Sequence, residues 1–454
     1  MHFQQEILLH LLFIVLIAMI GYLFIPGAGA FYVRHMWRTF RRTLLTSVVY
    51  PPLTYADVHE TGGRNGTAWN TGADVKREGH RGPFRFYGTI RAIQGDDRAW
   101  CSDGRLTVSV NLHGKRVFLL SSSYMEKEIF SGQTYPEEPP RRVSWNSLSS
   151  LPEYTGIFIS GVVSTEDGQG VFVDSEEVPL LVIIYEQEDS ALLRQAIWRG
   201  RQRNEYWNVY TPGSLVVTSF TLFLYFYFLM QNPMFQLPAI TALTLCLTPL
   251  LPILPPAVFF LFFYTHYWKR GRMLRAERDL LRLPTLFFQD IRESLEGNCL
   301  VQDYLLPSGE TYVMAKVPDK ETAEAIFPEA DQLQLSLPEE YLSEDYYVFG
   351  VMESDARTEA ASAVFDASGG DAAETRAEEG NSESLKADNK GCAVELGRLV
   401  PPGDPAAEGL VIPGNPFRLS QLCEQRAQRL ETFGLLLFVL GLALNLFITF
   451  VILG

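Results

Sequence analysis

Cysteine is scarce in this chain of 454 residues, which has five, and none stands in a CxxC pair. Cys101, Cys299, Cys392 and Cys423 are scattered and Cys246 lies in an apolar run, which points to neither a disulfide framework nor a cysteine zinc site. The seven histidines are dispersed, and His59-Glu60 lacks the second histidine that an HExxH metalloprotease needs at helical spacing. There is no GxSxG nucleophile elbow, no P-loop and no GxGxxG between a strand and a helix, so serine hydrolase and nucleotide chemistry have no support. The paired acids Asp96-Asp97 and Glu176-Glu177 suit solvated turns, because adjacent strand residues point to opposite faces. No catalytic residue, cofactor site or metal site is assigned.

Charge is nearly absent from four stretches, while the remainder holds most of the 38 Lys and Arg and 53 Asp and Glu that give a formal net charge of −15. The first runs from Ile7 to Ile25 and as a helix covers ~28 Å, enough to span a bilayer. Ser214 to Met230 and Phe433 to Leu453 are of similar length. Pro238 to Tyr267 would reach ~45 Å as one helix, but Pro249, Pro252, Pro255 and Pro256 interrupt it. The main span is expected from about Pro252 to Trp268, with Pro238 to Leu251 as a kinked extension or a short segment at the outer surface. No Asp, Glu, Lys or Arg lies deep in any of these stretches, which argues against a proton relay. His10 and Asn445 are expected to be interhelical hydrogen bonders.

Lys and Arg fix the expected orientation. Arg34, Arg38, Arg41 and Arg42 follow the first stretch; Arg194, Arg199, Arg201 and Arg203 precede the second; Lys269, Arg270, Arg272, Arg275, Arg278 and Arg282 follow the third; Arg426 and Arg429 precede the fourth. All flank the two long loops, so the positive-inside rule puts both loops in the cytoplasm and both termini outside, in a multi-pass protein of the cell (inner) membrane. A cleaved signal peptide over residues 1 to 30 is the competing reading. It is weakened by Glu6 before the apolar core and four arginines after it. Because the bases cluster beside apolar stretches rather than over a domain, no nucleic-acid partner is expected.

From Phe84 to Tyr185 the sequence reads as short strands, FRFYGTIRAI, RLTVSVNL, KRVFLL, GIFISGVV, GVFV and PLLVIIYE, which suggest a small barrel of the OB or SH3 kind. Asp103-Gly104, His113-Gly114 and Asp167-Gly168 mark turns, with tight hairpins expected at the second and third. In the second loop, Thr311 to Val317, Gln332 to Leu337, Tyr346 to Met352 and Ala393 to Val400 read as strands and Lys320 to Ile326 as a helix. Glu353 to Asp388 has ten acids against three bases and almost no large apolar side chain, the composition of a disordered insertion. Gly62 to Gly79 is Gly-rich and reads as mobile.

The predicted fold class is an α+β membrane protein with four transmembrane helices and two cytoplasmic β-rich, small-barrel-like domains. Its segments are a first transmembrane helix (1–30), a basic helix and Gly-rich linker (31–83), a β domain (84–190) and a basic helix (191–213). A transmembrane hairpin (214–268) and a basic interfacial helix (269–289) come next. The second β-rich domain (290–352 and 389–417) encloses the acidic insertion (353–388), and a basic helix (418–432) leads to the fourth transmembrane helix (433–454). The two halves share this order. FYVRHMWRTFRRTLL after the first stretch resembles FYTHYWKRGRMLRAERDLL after the third, and LLRQAIWRGRQR matches LSQLCEQRAQRL in position, which suggests an internal repeat of parallel topology. The alternative is that any helix leaving a bilayer toward the cytoplasm selects aromatics and then arginines.

Trp268, Lys269, Arg270, Arg272, Arg275 and Arg278 form the candidate lipid interface, where bases and apolar residues on one helix would meet anionic head groups. The expected partners are the lipid bilayer and an unidentified protein. The expected function is a membrane scaffold or interaction protein presenting β domains at the cytoplasmic face. A membrane-transport or envelope-assembly component is the alternative, with an enzyme third.

Overall fold

The computed structural model of the protein describes residues 2–59, 80–95, 97–120, 140–148, 151, 155–166, 169–186, 189–202, 207–291, 301–333, 335–342, 345–353 and 398–453. It is a mixed α+β molecule with two sheets and three helices long and apolar enough to cross a membrane, Gln4–Val49, Tyr210–Met230 and Pro416–Leu453. The segment 62–79 and all of the acidic stretch beyond Glu353 lie outside the described residues.

Apolar stretches and basic helices, expected as successive elements, are largely continuous. Helix α1 (His2–Met19) passes through a π-helical turn at Ile20–Phe24 into α2 (Ile25–Val49). Pro26 accounts for the turn, because it offers no N–H to the Tyr22 carbonyl and its ring crowds that oxygen. Gly21 makes the turn a contact point: a Cβ there would sit 1.7 Å from Oγ1 of Thr218. After α3 (Tyr55–His59) and the first sheet come α4 (Leu192–Gln202), α5 (Tyr210–Met230), α6 (Gln236–Cys246) and α7 (Ala257–Arg282). Helix α8 (Lys320–Ile326) belongs to the second sheet, and α9 (Pro416–Leu453) carries the last basic segment into the last apolar one without a break.

The third apolar stretch departs from expectation. It divides at the prolines into α6 and α7, and α7 begins after Pro255-Pro256 rather than near Pro252. Helix α6 packs against other apolar helices. Ala239 and Ala242 pack with Ile14 and Ala18 of α1 and Leu222 and Leu229 of α5, and α6 also touches α9. Helices α7 and α9 run antiparallel, with Gly441 against Phe260, Gly434 against Tyr267 and Gly271 against Glu431. Between α6 and α7, Asn445 donates its Nδ2 to the carbonyls of Leu251 at 2.7 Å and Leu254 at 2.9 Å. His10 Nδ1 lies 2.7 Å from the Tyr225 hydroxyl. Both residues bond between elements, as read from the sequence.

The first sheet contains β1 (His80–Gln94), β2 (Arg98–Ser102), β3 (Thr107–Asn111), β4 (Arg116–Leu119), β5 (Arg141–Ser144), β6 (Gly156–Glu166), β7 (Gln169–Val173) and β8 (Leu181–Tyr185). Its path β1-β2-β3-β7-β6 returns to β1, with β3 and β7 parallel. A closed ring in that order has the connectivity of an OB barrel. Closure depends on β1, whose 15 residues pair with β6 along one half and β2 along the other, bending at an irregularity between Ile90 and Ala92. Gly88 sits at the switch, where a Cβ would meet the Phe86 ring at 2.7 Å and the Ser102 carbonyl at 2.9 Å. The His113-Gly114 turn is not a hairpin, since β3 pairs with β2 and β7 while β4 pairs with β5 and β8. Asp103-Gly104 does close a hairpin, β2 to β3.

The second sheet is separate from the first, with the order β11-β14-β12-β10-β9 and β13 on β12. Its strands are β9 (Val301–Leu305), β10 (Thr311–Val317), β11 (Asp331–Gln332), β12 (Tyr346–Met352), β13 (Leu399–Val400) and β14 (Leu410–Pro413). It is not the small barrel expected, because among the described residues its path does not close. Strand β10 pairs with β9 and β12 over nearly the same residues, whereas β1 divides its length between β6 and β2.

One four-stranded register occurs in both sheets. Across β1, β6, β8 and β4 the partners are Tyr87, Phe158, Ile183 and Phe118; across β10, β12, β14 and β11 they are Met314, Phe349, Leu410 and Asp331. Strand directions agree at each step, and the chain visits the strands in the same order. Beyond each parallel pair the next backbone bond is repeated: Leu120 N–H donates to Ile184 at 2.9 Å and Leu333 N–H to Val411 at 3.2 Å. Each last strand then leads into a basic helix, α4 or α9.

A single apolar core joins the two sheets. It runs from Trp37, Phe40 and Leu44 of α2 through Phe118, Phe158 and Ile183 to Leu274 and Leu281 of α7, and on to Phe349, Leu410 and Leu419. Arg85 of β1 crosses to Asp404 of the second unit, both buried, with Nη1 to Oδ1 at 2.7 Å and Nη2 on Oδ2. Arg194 of α4 reaches Glu408 at 3.0 Å and Asp331 at 2.5 Å.

Candidate functional site

Four helix segments meet beneath the apolar helices: α2 and α4 from the first half, α7 and α9 from the second. They enclose a cleft of about 240 Å³ lined by Arg34, Trp37, Arg38, Phe40, Arg41 and Leu44 of α2; Ala196, Ile197, Gly200 and Arg201 of α4; Trp268, Arg272, Arg275 and Arg278 of α7; and Glu431 of α9. The spacing of Arg34, Arg38 and Arg41 brings them to one face of α2, and Trp268, Arg272, Arg275 and Arg278 share a face of α7 in the same way. Helix α4 packs on α2 here, with Gly200 beside Trp37 and Phe40.

The deeper arginines are held in an ion-pair network. Asp279, buried behind the cleft, takes bonds from Arg201 at 2.9 and 2.5 Å and from Arg278 at 2.9 and 2.5 Å, with Arg41 at 3.6 Å. Burial pushes its carboxyl up, but the guanidinium groups of Arg201, Arg278 and Arg41 outweigh that and hold it below the ordinary carboxylate value. Arg275 grips Glu431 with two parallel bonds of 2.7 and 2.8 Å and reaches Glu424 at 3.2 Å, while Arg278 also bonds Glu424. Burial lowers the Arg201 guanidinium despite Asp279, and neighbouring Arg278 and Arg275 lower it further. At the upper edge Arg272 lies over the Trp268 ring, 5.4 Å from its centroid, and Trp268 packs on Tyr264.

Seven arginines line the cleft, and four of them, Arg41, Arg201, Arg275 and Arg278, pair with Asp279, Glu424 and Glu431. No group of three or more His, Cys, Asp or Glu that could hold a metal ion occurs among the described residues.

Of the six residues singled out from the sequence, Trp268, Arg272, Arg275 and Arg278 line the cleft together. Lys269 and Arg270 do not; they are exposed and turn away from it, because one helical face cannot hold consecutive residues. The sequence marks Arg34, Arg38, Arg41 and Arg201 only as orienting charges. Their shared helical spacing was a usable signal, but their convergence with α7 depends on packing between segments about 230 residues apart. No family model, curated protein or solved structure matches the chain.

Proposed function

We propose that this chain is an integral membrane protein that crosses the bilayer four times and serves as a scaffold, presenting its two β units as one body at the cytoplasmic face of the cell (inner) membrane. The observation that carries this reading is the continuity of its helices. Helices α2, α7 and α9 leave apolar stretches and run directly into the shared core on which both sheets pack, so that β units and apolar helices move together. The outward side chains of the apolar parts support membrane embedding: Leu12, Phe220, Phe262 and Phe447 are each more than 60% exposed, an apolar belt that a soluble protein would hide. In this reading α6 and the apolar start of α7 together make the third crossing, with the prolines between them inside the bundle. Irregular backbone at such depth is tolerated when protein satisfies it, the role we give Asn445.

A transport path through the broken third crossing is the second reading. It has less support, because Asn445 already occupies the carbonyls that a passing ion would use. The scaffold reading is tested by amine cross-linking in cells expressing the full chain. Lys115 of the first unit and Lys320 of the second should link to the same soluble protein. Links confined to the chain itself would remove the scaffold function.

A further inference from the structure

We propose that the face of the first β unit formed by Arg116 and Arg142 rests on anionic phospholipid headgroups of the membrane that the chain's own helices cross. The inference rests on the membrane reading above, but not on which side of the bilayer the β units occupy. Its first support is placement. Arg116 and Phe118 of β4 and Arg142 of β5 share one sheet face, because Arg116 pairs with Ser144 and Phe118 with Arg142. Phe118 packs on α2, its ring centroid 4.3 Å from that of Phe40 and 5.9 Å from that of Trp37, and the Arg142 guanidinium lies 5.9 Å from the same Phe118 ring. Tyr32, less than two turns back along α2 from Trp37, is near enough to favour the charged form of Arg142. Tyr32 also marks the headgroup level. It and Phe31 are exposed just before Arg34, and Trp207 and Tyr210 are exposed at the start of α5, an aromatic belt of the kind found where a bilayer meets water. Asn208, between the latter two, donates its Nδ2 to the Pro26 carbonyl at 3.2 Å, which sets the two aromatic pairs at neighbouring heights.

The second support is charge. Arg116 and Arg142 are both exposed, and among the described residues neither pairs with a carboxylate. Burial lowers the Arg142 guanidinium and Arg116 lowers it further, a repulsion that the fold keeps and that an anionic surface offsets. The Phe118 ring orients Arg142 without occupying its N–H donors, which suits phosphate oxygens. The positive-inside rule does not account for these two residues. It acts on bases within ~20 residues of a span, whereas both stand far along the chain from Ile25 and from Tyr210. Nor is the face a common property of the two units. Asp331 occupies the place of Phe118 in the second unit and is paired with Arg194 at 2.5 Å, so the basic edge belongs to the first unit alone.

The test introduces the photoreactive change Ser144→p-benzoylphenylalanine, at the exposed partner of Arg116 on the same face, in the full chain held in nanodiscs of equal phosphatidylcholine and phosphatidylglycerol. After illumination, mass spectrometry of the peptide carrying residue 144 identifies the lipids attached to it. Phosphatidylglycerol adducts should exceed phosphatidylcholine adducts about fivefold or more, the attraction of one or two bases to an anionic surface. Arg116→Gln with Arg142→Gln should bring the ratio within about twofold of unity. Arg116→Lys with Arg142→Lys keeps the charge and should keep most of the enrichment. Arg105→Gln with Arg141→Gln removes as much charge from elsewhere in the same unit, Arg141 lying on the opposite face of β5, and should leave the enrichment in place. A ratio near unity with both arginines present, no lipid adduct, or equal losses from the two Gln pairs overturns the proposal. Resistance to alkaline extraction is measured alongside. A chain released by alkali contradicts the membrane reading and this proposal with it, whereas an embedded chain without enriched adducts contradicts the proposal alone.

Discussion

At the scale of single residues, the two β units are held together by buried charge. Arg85 and Asp404 are joined in a two-bond pair with almost no exposure, and Arg85 also donates Nε to the Tyr50 carbonyl. Removing one partner leaves the other charged and dry, so Arg85→Ala or Asp404→Ala should each cost about 3–5 kcal/mol. Arg85→Met with Asp404→Leu should cost less than either, measured by melting of the detergent-solubilised protein. A second buried group sets a pH dependence. Glu277 of α7 accepts hydrogen bonds from the Ser336 N–H and hydroxyl, yet burial dominates and pushes its carboxyl up to about 7. Above its ordinary value of 4.5 the unfolded chain releases a proton that the folded chain keeps, so its contribution is full below about pH 4.5 and lost as pH rises through 7. Glu277→Gln should flatten the fall in melting temperature between pH 5 and 8, a difference of about 3 kcal/mol at most. An unchanged slope would mean that Glu277 is ionised throughout.

At the scale of elements, the break between α6 and α7 is a built feature. Prolines deny the helix its donors, and Asn445 on α9 supplies two to the carbonyls of Leu251 and Leu254. Asn445→Leu keeps the volume and removes both donors. It should lower stability by about 1–2 kcal/mol, seen as a reduced melting temperature. The sequence announced this element only in part: the prolines showed that a straight helix would fail, but the partner that stabilises the break is nearly 200 residues away. Strands show the same limit. Thr311–Val317 and Tyr346–Met352 are where their apolar composition puts them, as is the helix Lys320–Ile326. Arg98–Ser102, Arg141–Ser144 and Val301–Leu305 escaped because short strands with polar residues depend on their neighbours for definition. Leu410–Pro413 was missed through brevity.

At the scale of the whole molecule, the halves repeat a register that residue identity conceals. Phe158 and Phe349 occupy equivalent central positions and Leu120 matches Leu333, but Arg85 stands where Tyr312 does and Phe118 where Asp331 does. That arrangement is what a duplicated unit with both ends on one side would leave behind, and it makes the sidedness of the two units the central claim. The native cysteines are poor reporters of it, since Cys101 and Cys423 are buried. Cysteines introduced at exposed positions report better: Arg105→Cys in the first unit, Lys320→Cys in the second and Met234→Cys between α5 and α6, each in a chain whose five native cysteines are replaced by alanine. The decisive measurement is labelling of intact cells with a membrane-impermeant maleimide. The account predicts that Met234→Cys reacts before lysis, while Arg105→Cys and Lys320→Cys react only after it. Labelling of either β-unit cysteine in intact cells would contradict it.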